Sequence, residues 1–379
     1  MKRFYFLFLI CLVSFLVVNK PLAVEKPATD SKEEMVRVAV MKNATLIKIT
    51  GDDLAISDEN GNVIHSDGNP VLISYENSSS MLLNGVSHNK IVVSGNSVFR
   101  VNDKGYRGTI GLYPKDKGIL VINELPLEKY LVGLVNCEIS SKWPIEAIKA
   151  QVIVARTYAL YKKHMQAKSQ YHLESTVLDQ AYDGADKEDD IAEKAVEDTK
   201  GQVLLYNGQL IQAFYHSCCG GHTESAKNVW GVDLPYLRGV KCDSCLNSPF
   251  AKWHQSISLS KINSLLNAAG YKINGLKNIT PGKTDESGRL EYLILKGNGE
   301  SKVIRAVDFR RIMGYSVIKS TAFTVDIQGD DVNFNGMGNG HGVGLCQWGA
   351  RQKAIDGATC KEILSFYYPG TELKQLNYN

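Results

Sequence analysis

Apolar and polar positions change rhythm along this chain. From Val36 to about Gly118 short runs alternate with a period near two: VRVAV, TLIKI, NVIHS, VLISY, KIVVSG and SVFRV. Breaks such as Glu59-Asn60-Gly61-Asn62 and Asp67-Gly68-Asn69-Pro70 separate them. That pattern predicts a small β unit, read as a spacer or accessory binding module. The rhythm then lengthens. Residues 119–135 lead from a strand into a short helix. Beyond Pro144, the positions Ile148, Val152, Ala155 and Ala159 recur at helical spacing, predicting a long helix to about Lys163 with one buried face. Pro144 is preset for a first turn, and Glu146 complements the positive end of the helix dipole.

Further on, 183–198 reads as a solvated helix or loop whose acids form a wet face rather than a metal site. Residues 202–217 read as a hairpin around Asn207-Gly208. A short amphipathic helix is expected over 259–271, with strands at 290–295 and 301–306. Helices and strands mix without βαβ order, which predicts the α+β class. The expected layout is a β-rich accessory domain over 25–118 and a mixed helix-and-sheet domain over 119–379. The latter carries an α+β segment of its own at about 250–320.

Residues 1–24 stand apart. Met1-Lys2-Arg3 precedes an apolar run from Phe4 to Val18, and Pro21-Leu22-Ala23 offers a small residue for cleavage. This reads as a secretory signal peptide, or else an uncleaved N-terminal anchor. The expected location is therefore the cell envelope, outside the cytoplasm. With 379 residues the chain can bury a sizeable core. Without Lys2, Arg3 and Lys20 it holds 40 basic residues against 40 acidic ones. That balance argues against nucleic acid as a partner, which calls for a basic face.

Candidate chemistry sits in three places. Glu138 lies in NCEISSKWP, read as a short polar turn ahead of the long helix. A carboxyl held beside an apolar helix end can have a raised pKa and act as a general acid. On periodicity alone a solvated turn residue is the plainer reading. Arg156, in the same helix, anchors a backbone oxygen, pairs with a carboxylate or touches substrate. The third place is a thiol set. Seven cysteines follow the leader, and His216-x2-Cys219 with Cys242-x2-Cys245 has the make-up of a tetrahedral structural zinc site. Cys218 and His222 compete as ligands. An oxidising compartment offers the alternative of a disulfide from Cys219 to Cys242 or Cys245.

Several blocks occur together in one order: Tyr106-Arg107-Gly108 with VINELPLEKYL (Val121 to Leu131), NCEISSKWPIEAIKAQVIVARTYAL (Asn136 to Leu160), HSCCGGHTESAKNVWG (His216 to Gly231), GMGNGHGVGLCQWGA (Gly336 to Ala350) and ILSFYYPGTEL (Ile363 to Leu373). In these the chain resembles the SpoIID/LytB family, which includes the stage II sporulation protein D and the amidase-enhancer proteins. The resemblance implies peptidoglycan glycan strands as ligand. It also implies lytic transglycosylase chemistry, with Glu138 in the place of the single catalytic acid and no cofactor needed for catalysis. The alternative it offers is a non-catalytic glycan binder that enhances a cell-wall amidase. It further brings His341 and Gln347, in the glycine-dense block, forward as groove residues beside Arg156. Two departures stand out. Cys137 occupies a position where the family more often has a small hydroxyl residue. A zinc site of clostridial relatives has only His172 left here.

Overall fold

The computed structural model describes residues 33–65, 70–177 and 179–376. The leader expected at 1–24 lies outside them. No described helix is long and apolar enough to cross a membrane. The class is α+β, with eight α-helices among the described residues: α1 (Leu127–Glu138), α2 (Ile145–Met165), α3 (Asp190–Asp198), α4 (Ala226–Trp230), α5 (Leu259–Ala268), α6 (Ala306–Met313), α7 (Gln347–Ile355) and α8 (Cys360–Tyr367).

The alternating N-terminal runs form two antiparallel sheets whose inward positions meet in one core, among them Ile47, Ile49, Ile73, Val93 and Phe99. The same core continues through Val121, Leu125, Tyr130 and Ile148 into the helices. One pairing explains the continuity. The first strand, Met35–Ala44, lies between Gly118–Pro126, to which it is antiparallel, and Leu173–Glu174, to which it is parallel. The division expected at residue 118 thus runs through a hairpin, Thr109–Lys115 with Gly118–Pro126, and the sheet spans both sides of it.

Helix α2 starts behind Pro144, carries Glu146 in its first turn and ends on Lys162, Lys163 and His164, so both dipole ends are complemented. The sequence predicted one buried face. In the structure nearly every residue from Ala147 to Leu160 is buried, polar Gln151, Arg156 and Thr157 included. The reason is crowding: α1, α3, α7, α8 and the strand Gln202–Tyr206 all pack on α2, as expected for a helix at the centre of a domain. The hairpin at Asn207-Gly208 is present, with both residues at positive φ.

A second, separate core occupies the later segment. Trp253, Leu266, Leu293, Phe309 and Phe334 are among its members. They are drawn from α5, α6 and two three-stranded antiparallel sheets. The chain enters and leaves this unit at one place, where the Gly338 amide donates to the Ala251 carbonyl at 2.8 Å.

Candidate functional site

Glu138 is the last residue of α1 rather than part of a free turn. A helix C-terminus carries partial negative charge, which disfavours an ionised carboxylate there. The side chain is half-buried and turned inward. Its Oε1 accepts from the Ala181 amide at 2.6 Å and from the Tyr215 hydroxyl at 2.9 Å, and the Gln347 side chain bonds the same carboxyl. Burial pushes its pKa above the ordinary 4.5, and these three hydrogen bonds pull the other way. Burial wins because every donor is uncharged. No second carboxylate contributes to the shift.

The donors are themselves anchored. Tyr130 donates to Gln180 Oε1 at 3.1 Å, and Gln180 Nε2 donates to the Tyr215 oxygen at 3.3 Å. Burial first, and then the neighbouring Glu138, raise Tyr215 well above the usual phenol pKa, so it stays a donor. Gln347 opens α7 and reaches Gln151 on α2 at 3.4 Å. Gln151 Nε2 is buried without a hydrogen-bond partner.

Aromatic rings stand on chain segments next to this carboxyl and its donors in sequence. Trp143 follows Glu138 in the loop before α2, and Trp348 follows Gln347. Their rings meet edge-on at 5.1 Å, with the Arg351 guanidinium over both. Beyond Tyr215, Phe214 packs on Trp230 at 4.4 Å and Trp230 on His341 at 5.1 Å.

The other expected groove residues have different settings. Arg156 has no exposed surface: its Nε and Nη2 make a paired contact with Glu128 at 2.9 and 2.7 Å, and further bonds reach Val196, Thr199 and Gln202. This is a structural clamp between α1, α2 and α3. His341 Nε2 donates to the Tyr215 carbonyl at 2.9 Å and Nδ1 accepts from the Val343 amide at 3.1 Å. Burial, with Arg310 nearby, pulls its pKa down to about 3, so the ring is neutral. It braces the strand that carries Tyr215.

The thiol set also needs revision. Cys219, Cys242, Cys245 and Cys346 are buried with their sulfurs all within 4.8 Å of one another, a group that could hold a metal ion. Cys346 takes the place expected for His216. The His216 Nδ1 faces the Val343 carbonyl at 3.1 Å, and its ring lies against Gly340, where a Cβ would come within 2.7 Å of the His216 Cβ. Cys218 and His222 are outside the group. All seven described cysteines are free thiols, with no disulfide among them. A tetrahedron of Zn–S bonds near 2.3 Å has edges of about 3.8 Å. The Cys219 to Cys245 separation of 3.3 Å and the 4.8 Å limit bracket that value. Two amides, of Cys219 at 3.2 Å and Gly349 at 3.3 Å, donate to the Cys346 sulfur, as suits a thiolate.

Sequence reasoning missed Cys346 as a member of this group although the residue was in view: it stands about a hundred positions from the CxxC pair, and only the fold closes that gap. Tyr215, Gln180 and Ala181 carried no signal of their own.

Comparison with known proteins agrees with this picture. Residues 115–206, which hold Glu138 and α2, match the family model described as Stage II sporulation protein. Residues 241–344, the unit with the second core, match a domain of unknown function, DUF8618. An uncharacterised protein of Brachyspira hyodysenteriae is 35% identical over 77% of this chain and 78% of its own length. The amidase enhancer of Bacillus subtilis is 31% identical over 64% of this chain, but over only 40% of its own length. The stage II sporulation protein D of Bacillus subtilis is 30% identical over 67% of this chain and 76% of its own. With relatives of that likeness and coverage, and with its first helices inside the matching segment, the chain belongs to the SpoIID/LytB family of stage II sporulation protein D and the amidase enhancers.

Proposed function

We propose that this protein works on the cell wall as a lytic transglycosylase of peptidoglycan glycan strands, with Glu138 as its one acid and base. The observation that carries the reading is a half-buried carboxyl with a raised pKa, held by three uncharged donors and with no second carboxylate contributing to the shift. Hydrolytic glycosidases generally use two carboxylates; an intramolecular route needs one. Oε1 already accepts two hydrogen bonds, so the proton resides on Oε2. It passes to the glycosidic oxygen as the C1–O bond breaks. The carboxylate left behind is stabilised by Ala181, Tyr215 and Gln347 and accepts the proton of the muramoyl 6-hydroxyl. That oxygen closes on C1, giving a 1,6-anhydro end. Proximity supplies much of the rate, because attacker and acceptor share one ring. The Trp143–Trp348 and Phe214–Trp230 pairs, on segments that adjoin the acid and its donors in sequence, offer apolar faces of the kind sugar rings stack on.

The four-cysteine group is proposed to hold one structural zinc ion, fixed by Cys219, Cys242, Cys245 and Cys346; the ion would stabilise the fold and take no part in the chemistry. Export to the envelope is proposed from the leader and from the glycan substrate. A second reading has one observation behind it, the amidase-enhancer relative: the groove would hold glycan for a partner amidase without cutting it. Purified stem-free glycan separates the two. Wild type is expected to release anhydromuramoyl products by mass spectrometry, and Glu138→Gln to lose release by at least about 100-fold while still binding glycan. Equal release by both proteins, or none by either, defeats the enzymatic reading.

A further inference from the structure

We infer that the metal held by the four cysteines sets the hydrogen bonds on Glu138, so that the acid loses its donors when the ion leaves. This rests on the transglycosylase reading for its effect on turnover, though not for the linkage itself.

Cys346 is the joint. Its sulfur belongs to the thiol group and also caps α7 through the Gly349 amide. The next residue is Gln347, whose side chain bonds Glu138. The two-residue strand Leu345–Cys346 pairs in parallel with Tyr215–His216, and Tyr215 is the other side-chain donor to Glu138. Both donors therefore stand within one residue or one ladder rung of the same sulfur ligand. The start of α7 rests directly on the thiols: a Cβ on Gly349 would come within 2.7 Å of the Cys242 sulfur and 3.3 Å of the Cys346 sulfur. Nothing larger than hydrogen fits there, so a shift of the sulfurs moves the helix start.

A second, independent feature points to a charged complex at this place. Arg289, from the unit with the separate core, is buried with its Nη2 donating to the Cys219 carbonyl at 2.8 Å. Its Nε and Nη1 are buried without hydrogen-bond partners. Glu224, Cys219, Asp285 and Cys346 are the acidic groups close enough to act on it. Four thiolates around a divalent ion carry two net negative charges. Glu224 and Asp285 already favour this buried arginine, and a dianion at the thiols, beside the Cys219 carbonyl that it grips, adds a further stabilising partner that four neutral thiols would not. The guanidinium also packs on Gly342, where a Cβ would lie 2.7 Å from its Cζ, so the glycine-dense loop is shaped around it. Loop, arginine and thiol group form one assembly, and Gln347 is its outward end.

The test uses the full-length protein with bound metal measured by elemental analysis. Zinc is withdrawn with a mild chelator and then restored, and Cys245→Ser, Gln347→Ala and the double variant are prepared alongside. Exchange of the Ala181 amide, which donates to Glu138 yet is remote in sequence from every cysteine, is followed by mass spectrometry. Withdrawal is expected to speed that exchange roughly 10-fold or more, reversibly, while amides of α5 keep their protection. Release of anhydro products is expected to fall about 10- to 100-fold, with retention on insoluble glycan changed by less than about 3-fold. The double variant is expected to be no worse than about 3-fold below Cys245→Ser alone, because both changes cut the same link. Should Cys245→Ser not fold, the chelated wild type with and without Gln347→Ala gives the same comparison. Unchanged Ala181 exchange, full turnover without zinc, multiplicative losses, or protein that carries no metal when purified reduced would overturn the inference. Zinc-loaded wild type that releases nothing defeats only the transglycosylase reading, and Ala181 exchange still decides the linkage.

Discussion

At the scale of single residues, two carboxyls among the described residues have raised pKa values, for different reasons. Glu138 is raised by burial against uncharged donors. Glu224, pushed up to about 7, is raised by burial and then by sharing hydrogen bonds with Asp285, itself held below the ordinary range; Ser287 bridges the pair at 2.7 Å from each. A folded-state pKa above the unfolded one means that the proton stabilises the fold. For Glu224 that stabilisation is complete below about pH 4.5 and is lost as pH rises through about 7. Wild type is thus expected to lose denaturant midpoint between pH 5 and 8, and Glu224→Gln to flatten that slope; identical slopes would show that Glu224 does not titrate there. Arg156 makes the opposite point. Its place in α2 left carboxylate pairing and substrate contact both open, with the structural role the plainer reading, and the fold pairs it with Glu128. Arg156→Ala removes a buried paired contact and leaves the Val196 and Gln202 carbonyls short of a donor. A loss of about 3–5 kcal/mol in urea unfolding is expected, with product release per folded molecule little changed.

At the scale of elements, the period of the apolar positions was enough to find the helices. Pro144 and the spacing of Ile148, Val152, Ala155 and Ala159 placed α2, and Asn207-Gly208 placed a hairpin. The extent of burial was not legible, because a helix wrapped on all sides keeps Gln151, Arg156 and Thr157 as internal hydrogen-bonding groups, and these read as a polar face. The end of α1 was missed for a similar reason. Asn136-Cys137-Glu138 looks like a turn, but the Cys137 thiol donates to the Gly133 carbonyl and the helix runs on to Glu138. Spacing found three of the four clustered cysteines and named the wrong fourth. His216 is near in sequence, whereas Cys346 arrives only through the pairing of Leu345–Cys346 with Tyr215–His216.

For the whole molecule, the sheet decides what can be cut away. Because Met35–Ala44 is an inner strand, bordered by Gly118–Pro126 and Leu173–Glu174, and Thr109–Lys115 covers the other side of Gly118–Pro126, a fragment beginning at residue 119 exposes three strand edges and the apolar face beneath them. Such a fragment is expected to be insoluble or to lack a cooperative thermal transition by calorimetry, whereas one beginning at residue 33 keeps both. The matching segment 115–206 also lacks Met35–Ala44 and is expected not to fold alone, although it holds Glu138. The later unit is attached in another way. Its two ends run side by side, with Gly338 bonded to Ala251 and Lys252 paired with Met337. A piece whose ends adjoin leaves no gap in the chain when it is taken out, but this one also grips its host by side chains: its removal would strip Arg289 from the Cys219 carbonyl, Ser287 and Asp285 from Glu224, and Arg305 from the carbonyls that end α4.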